Sequence, residues 1–175
     1  MKIQQHTLLA AALMAMGCVA SHGVAADGRF KAQLSGYQEV PALSSPGAGR
    51  FVAKVRPEAI EYTLSYEGLH SGVLFSHIHF GKRATNGSVI VFLCSNAASP
   101  PVPTPACPAT GGSVSGVLGP ADVVGPAAQG IDPGEFDELV AAMRAGATYV
   151  NVHTNDFPPG ELRGQIGRGA GRGDD

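Results

Sequence analysis

The sequence is poor in charge, in aromatic residues and in cysteine. Charged residues make up 15% of the 175, with 12 Lys and Arg set against 14 Asp and Glu, and no basic block appears anywhere. Nucleic-acid binding draws most of its affinity from clustered Lys and Arg, so this balance argues against that class of partner. Tryptophan is absent and aromatics reach only 6%. The single continuous apolar run, Leu8–Ala20, falls short of the roughly 20 residues a membrane-spanning helix needs. No nucleophile elbow, phosphate-binding loop or convincing Ser/His/Asp grouping occurs, so nothing specific points to hydrolysis.

Glycine and proline are plentiful, at 24 and 13 residues, and 44% of the chain is apolar. The apolar share excludes general disorder. Short apolar runs punctuated by Gly and Pro favour an all-β domain over a helical bundle. Part of the apolar share belongs to the N-terminus. There Lys2 precedes the Leu8–Ala20 run, and small residues at Val24-Ala25-Ala26 lead into Asp27. This is the layout of a secretory signal cut after Ala26, which implies a periplasmic or secreted protein with no membrane span in its mature form. Removing residues 1–26 leaves Cys94 and Cys107, which flank a Pro-rich loop. In an oxidising compartment these two pair most simply as a disulfide worth roughly 3 kcal/mol. They are neither C-x-x-C nor close to a base, against a redox pair or a thiolate metal site.

From Asp27 onward, period-2 runs predict strands at Arg29–Leu34, Gly49–Val55, Ile60–Tyr66, Val73–Phe80, Ser88–Leu93, Ala147–Thr154 and Glu161–Ile166. Asn86-Gly87 marks a hairpin turn. One helix is expected, N-capped by Asp132 with Pro133 at its first position and Glu135 completing a capping box. Its core stripe is Phe136, Leu139, Val140 and Met143, and Gly146 stops it. The domain expected over 27–166 is a single antiparallel β-sandwich or Greek-key barrel with one short helix. A disordered Gly/Arg tail is expected over 167–175.

Four histidines lie beyond the signal, His70, His77, His79 and His153. Strand parity puts His77 and His79 on one face, about 6–7 Å apart, opposite Leu74, Ser76 and Ile78. His153 shares a face with Tyr149 and Asn151, opposite Val150 and Val152. If the aliphatic faces form the core, all three imidazoles project from the outer side of the sheet. There they could converge on one copper or zinc ion. The plainer alternative is a polar network among these histidines, Asn151, Thr154, Glu161 and Arg163. His70, beside a Gly turn, reads as surface, with a fourth-ligand role left open. Asn151, Glu161 and Arg163 are candidates to orient the ligands, and Glu161 and Arg163 also read as an ion pair across the face of the last strand.

Four blocks then carry a resemblance: Leu34–Pro41 (LSGYQEVP), Ser76–Gly81 (SHIHFG), Tyr149–Thr154 (YVNVHT) and Pro159–Ile166 (PGELRGQI). They resemble, in order, the signature blocks of the CHRD domain, the module named from chordin and also found as stand-alone secreted bacterial proteins. The resemblance implies an extracellular immunoglobulin-like β-barrel. A looser likeness is to copper–zinc superoxide dismutase, which also carries an H-x-H on the outside of a Greek-key barrel. That enzyme's bridging histidine and His-rich zinc loop have no counterpart here, so only a mononuclear site could be assembled. Three readings follow: a non-catalytic copper- or zinc-binding domain using His77, His79 and His153; a structural or adhesive module meeting an extracellular protein or matrix partner; and a mononuclear copper redox enzyme with Arg163 steering superoxide.

Overall fold

The computed structural model describes residues 28–169; the expected export signal and the chain beyond 169 lie outside the described residues. Nine strands and one helix follow one another as β1 (Arg29–Ser35), β2 (Ala48–Val55), β3 (Ile60–Glu67), β4 (Val73–Phe80), β5 (Val89–Ser95), β6 (Gly112–Leu118), α1 (Phe136–Arg144), β7 (Thr148–Thr154), β8 (Leu162–Gln165) and β9 (Gly167–Arg168). All pairings are antiparallel, and the sheet runs in the order β5-β4-β7-β8-β1-β2-β3-β6, with β9 added to β1. The edge strands β5 and β6 come together, so the sheet is an almost closed barrel. The all-β reading with one helix therefore holds.

Side chains stitch the closing seam. Tyr62 of β3 reaches across the interior to donate its hydroxyl to the Leu93 carbonyl of β5. Cys94 and Cys107 form a disulfide with an S–S distance of 2.06 Å. Beside it, Asn96 donates to the carbonyls of Val73 (2.9 Å) and Cys107 (3.1 Å) and accepts from the Cys107 amide (3.0 Å). The interior is filled by alternate residues of the strands, among them Phe30, Phe51, Ile60, Leu64, Ile78, Leu93, Val150 and Leu162. Leu139, Val140 and Met143 of α1 join the same core, as the helical stripe requires.

Beyond shifts of a residue or two at strand ends, three features differ from the sequence reading. The helix starts at Phe136 rather than just after Asp132, because Gly134 adopts φ +91° and breaks the first turn. Half of the expected capping box is nevertheless made, with the Asp132 amide donating to Glu135 Oε2 at 2.7 Å. Strand β6 was not expected: its Gly/Ser-rich run buries only Val114 and Leu118, too sparse a pattern to stand out. Gly167–Arg168, assigned to the tail, instead pair with Lys31 and Phe30 of β1. Among the described residues, no helix is long and apolar enough to cross a membrane.

The two halves of the sheet differ in their outer surface. On β1, β2 and β3 burial alternates along the strand, so one side faces the core and the other faces solvent. Every residue of β7 is buried, as are Ser76–His79 of β4 and Leu162–Gly164 of β8. On this half the outer face is covered too, and the candidate residues lie under that cover.

Candidate metal centre

The register of β4 against β7 sets Phe75 opposite His153, His77 opposite Asn151 and His79 opposite Tyr149. On the far side of β4, His77 faces Phe92 of β5. Strand parity thus gathers His77, His79 and His153 on one face, as expected. The ring centroids of His77 lie 5.3 Å from His79 and 5.1 Å from His153, and those of His79 and His153 are 6.0 Å apart. One ring nitrogen from each of the three lies within 4.8 Å of the others. Three nitrogens held at about 2.0–2.1 Å by one ion stand about 3.5 Å apart, so the group would draw in by up to about 1 Å to hold it. The face is not open to water as an outer face would be, because the three residues are only 5%, 8% and 7% exposed.

Two backbone carbonyls set the chemistry of this cluster. His79 donates from Nδ1 to the Gly87 carbonyl at 2.9 Å, and His153 donates from Nδ1 to the Pro158 carbonyl at 2.8 Å. A carbonyl can only accept, so the proton of each neutral ring sits on Nδ1 and the lone pair on Nε2. Those two Nε2 atoms, and both ring nitrogens of His77, are buried without any hydrogen-bond partner. An orphaned buried polar atom ordinarily costs about 1–3 kcal/mol, which makes a cluster of them unfavourable unless something binds there. Burial, reinforced by the neighbouring histidines, pushes the His77 pKa down to about 2. Burial likewise brings His79 to about 4, against the opposing hydrogen bond to Gly87, and lowers His153 despite its bond to Pro158. All three rings are therefore neutral at physiological pH, the form that ligates a metal.

Aromatic side chains wall the cluster. Phe75 lies 4.8 Å from both His77 and His153, and Phe92 meets His77 edge-on at 4.3 Å. Tyr149 stacks on His79 at 4.8 Å with the planes 4° apart. The Arg163 guanidinium sits 3.5 Å over the Tyr149 ring. Its other contacts are to the turn between β4 and β5: Asn86 Oδ1 at 3.1 Å and the carbonyls of Thr85 (2.6 Å) and Lys82 (3.2 Å). Arg163 thus clamps the turn that delivers the Gly87 carbonyl to His79.

The candidate orienting residues act differently from the sequence reading. None of Asn151, Glu161 and Arg163 bonds to a ring of the trio. Asn151 donates instead to Glu39 Oε1 (2.6 Å) and the Leu162 carbonyl (3.1 Å). Burial pushes the Glu39 carboxyl up to about 7, although Asn151 and Arg163 both pull it down. Glu161 and Arg163 form no ion pair. Glu161 precedes β8 and lies fully buried, with Oε1 accepting from His70 Nδ1 (2.8 Å), the His70 amide (3.0 Å) and Ser45 Oγ (2.8 Å). Its Oε2 accepts from Thr154 Oγ1 at 2.7 Å. Burial alone would raise the Glu161 pKa, but these bonds outweigh it and hold the carboxylate below its ordinary range. His70 is engaged by Glu161 and stands outside the three-nitrogen group.

The residues that sequence reasoning missed are the two anchoring carbonyls, which have no side-chain signature; the only cue was that Asn86-Gly87 and Pro158-Pro159-Gly160 are turn motifs. Gly160 is required where it stands. Its φ is +140°, and a Cβ there would lie 2.7 Å from Asn151 and from Glu39 Oε1. Comparison with known proteins bears on the same blocks: a family model, that of the CHRD domain, matches residues 30–166. Searches of the curated proteins and of the solved structures gave no significant match. Since the match takes in nearly all of the barrel, from the second residue of β1 to just past β8, the chain belongs to the CHRD domain family.

Proposed function

We propose that this chain is an exported CHRD-domain protein that binds one copper or zinc ion through His77, His79 and His153, as a binding domain rather than a catalyst. The observation that carries the reading is the pair of Nδ1–carbonyl hydrogen bonds, which leave the Nε2 atoms of His79 and His153 buried and unpartnered beside a His77 ring that has no partner either. Metal-binding histidines characteristically donate their second nitrogen in this way, and neutral imidazole suits both ions. A polar network among the histidines would instead leave few orphaned nitrogens. Export with cleavage after Ala26 is supported by the apolar run Leu8–Ala20 and the small residues that follow it.

The experiment is metal analysis of natively purified protein together with its His79→Ala variant. The reading predicts about one ion per wild-type chain and none in the variant. Metal-free protein that takes up neither copper nor zinc would overturn it. Intact mass of the exported protein checks the cleavage site.

A further inference from the structure

Resting on that metal-binding reading, we propose that the ion this site is built to hold is cuprous copper, in a closed three-coordinate seat shielded from water. The donor set supplies the first argument. Among the described residues, the ligand group holds three imidazoles and neither a carboxylate nor a thiolate. The carboxylates nearest in the fold are committed elsewhere, Glu39 to Asn151 and Glu161 to His70, Ser45 and Thr154. Neutral ligands leave the whole charge of the ion in a buried site. The desolvation cost of a buried ion grows with the square of its charge, so a dication is penalised about fourfold relative to a monocation. The Arg163 guanidinium, stacked on the ring that stacks on His79, adds a fixed positive charge behind the site and increases that penalty.

Coordination number supplies the second. Zinc sites are almost always four-coordinate, and cupric ions favour tetragonal sets of nitrogen and oxygen. Here the unpartnered nitrogens expose essentially no surface, so solvent does not reach them to provide a fourth ligand. The rings of Phe75, Phe92 and Tyr149 line the site, and Asn151, opposite His77, is engaged by Glu39 and the Leu162 carbonyl. The Tyr149 hydroxyl is taken up by the Gly87 amide at 3.2 Å. Cu(I), like Zn(II), has a filled d shell, but its single charge needs less electron donation from the ligands, so three neutral nitrogens satisfy it. The aromatic wall that denies water to the ion also keeps it from oxidant, which suits a protein that holds reduced copper and is at odds with one that turns over an oxygen species.

The test is a set of anaerobic competition titrations of the metal-free full chain, with bicinchoninate for Cu(I) and nitrilotriacetate for Cu(II) and Zn(II). One Cu(I) per chain, held at least 100-fold more tightly than either dication, is the expected result. Binding of Zn(II) or Cu(II) as tight as that of Cu(I) would overturn this inference while leaving the metal-binding reading intact, and failure of all three ions would overturn both. His77→Phe removes a ligand while keeping a ring between Phe75 and Phe92, and it is expected to lose Cu(I) with the fold preserved. Should that variant not fold, X-ray absorption of Cu(I)-loaded wild type decides: three nitrogen ligands support the proposal, and a fourth, oxygen ligand contradicts it.

Discussion

At the scale of single residues, the account rests on where each proton and lone pair sits. His79 and His153 are fixed by carbonyls, whereas His77 is held only by packing among rings. Arg163 touches no imidazole, yet it grips the turn that carries Gly87, and its planar fork meets three acceptors that an ammonium could not reach together. Arg163→Lys is therefore expected to weaken metal binding about 10–100-fold, the usual scale for residues that orient ligands, with the stoichiometry unchanged. Isothermal titration would show this, and unaltered affinity would remove Arg163 from the account. The three clustered histidines were legible in the sequence because strand parity needs only local spacing. Their anchors were not, since a backbone carbonyl belongs to every residue alike and only the folded turn selects Gly87 and Pro158.

At the scale of elements, the strands were the most legible part, because alternating patterns such as RFKAQL and IEYTLSY state their own period. Coverage of the outer face was not legible. It depends on how the turns carrying Asn86 and Pro158 fold back over the sheet, and on the segment around Glu39, which is remote in sequence from the strand it covers. Gly160 shows how tightly one of those segments is seated. Gly160→Ala forces a Cβ against Asn151 and Glu39 in a backbone region that side chains avoid. A loss of about 1–3 kcal/mol is expected in urea unfolding, together with weaker metal binding as Pro158 shifts from His153. The seam between β5 and β6 makes the opposite prediction. Replacing Cys94 and Cys107 by alanine should cost about 2–5 kcal/mol of stability and leave one metal per chain, because neither cysteine belongs to the three-histidine group. Loss of metal in a folded double variant would show that the seam and the site are coupled.

At the scale of the whole molecule, burying three neutral histidines ties folding to pH. Their pKa values are lowered by folding, to about 4 for His79 and about 2 for His77, from an unfolded value of 6.5. Below pH 6.5 the unfolded chain takes up protons that the native state refuses, so acidification favours unfolding. Metal-free protein should thus lose stability on acidification from pH 6 to 4, by up to about 1.4 kcal/mol per pH unit for each such histidine, offset in part by Glu39, whose raised pKa acts in the opposite sense. Chemical denaturation across that range checks the sign, and stability that rises on acidification would contradict the buried, neutral cluster. Bound metal adds stability by mass action, about 2.7 kcal/mol at a free concentration one hundred times its dissociation constant. The central claim is that one ion sits among His77, His79 and His153, and a crystal structure of metal-loaded protein with anomalous data at the metal's absorption edge tests it most directly. The account predicts a single strong peak bonded to Nε2 of His79, Nε2 of His153 and a ring nitrogen of His77. Loaded crystals with no peak there, or with the peak at His70 and Glu161 instead, would contradict it.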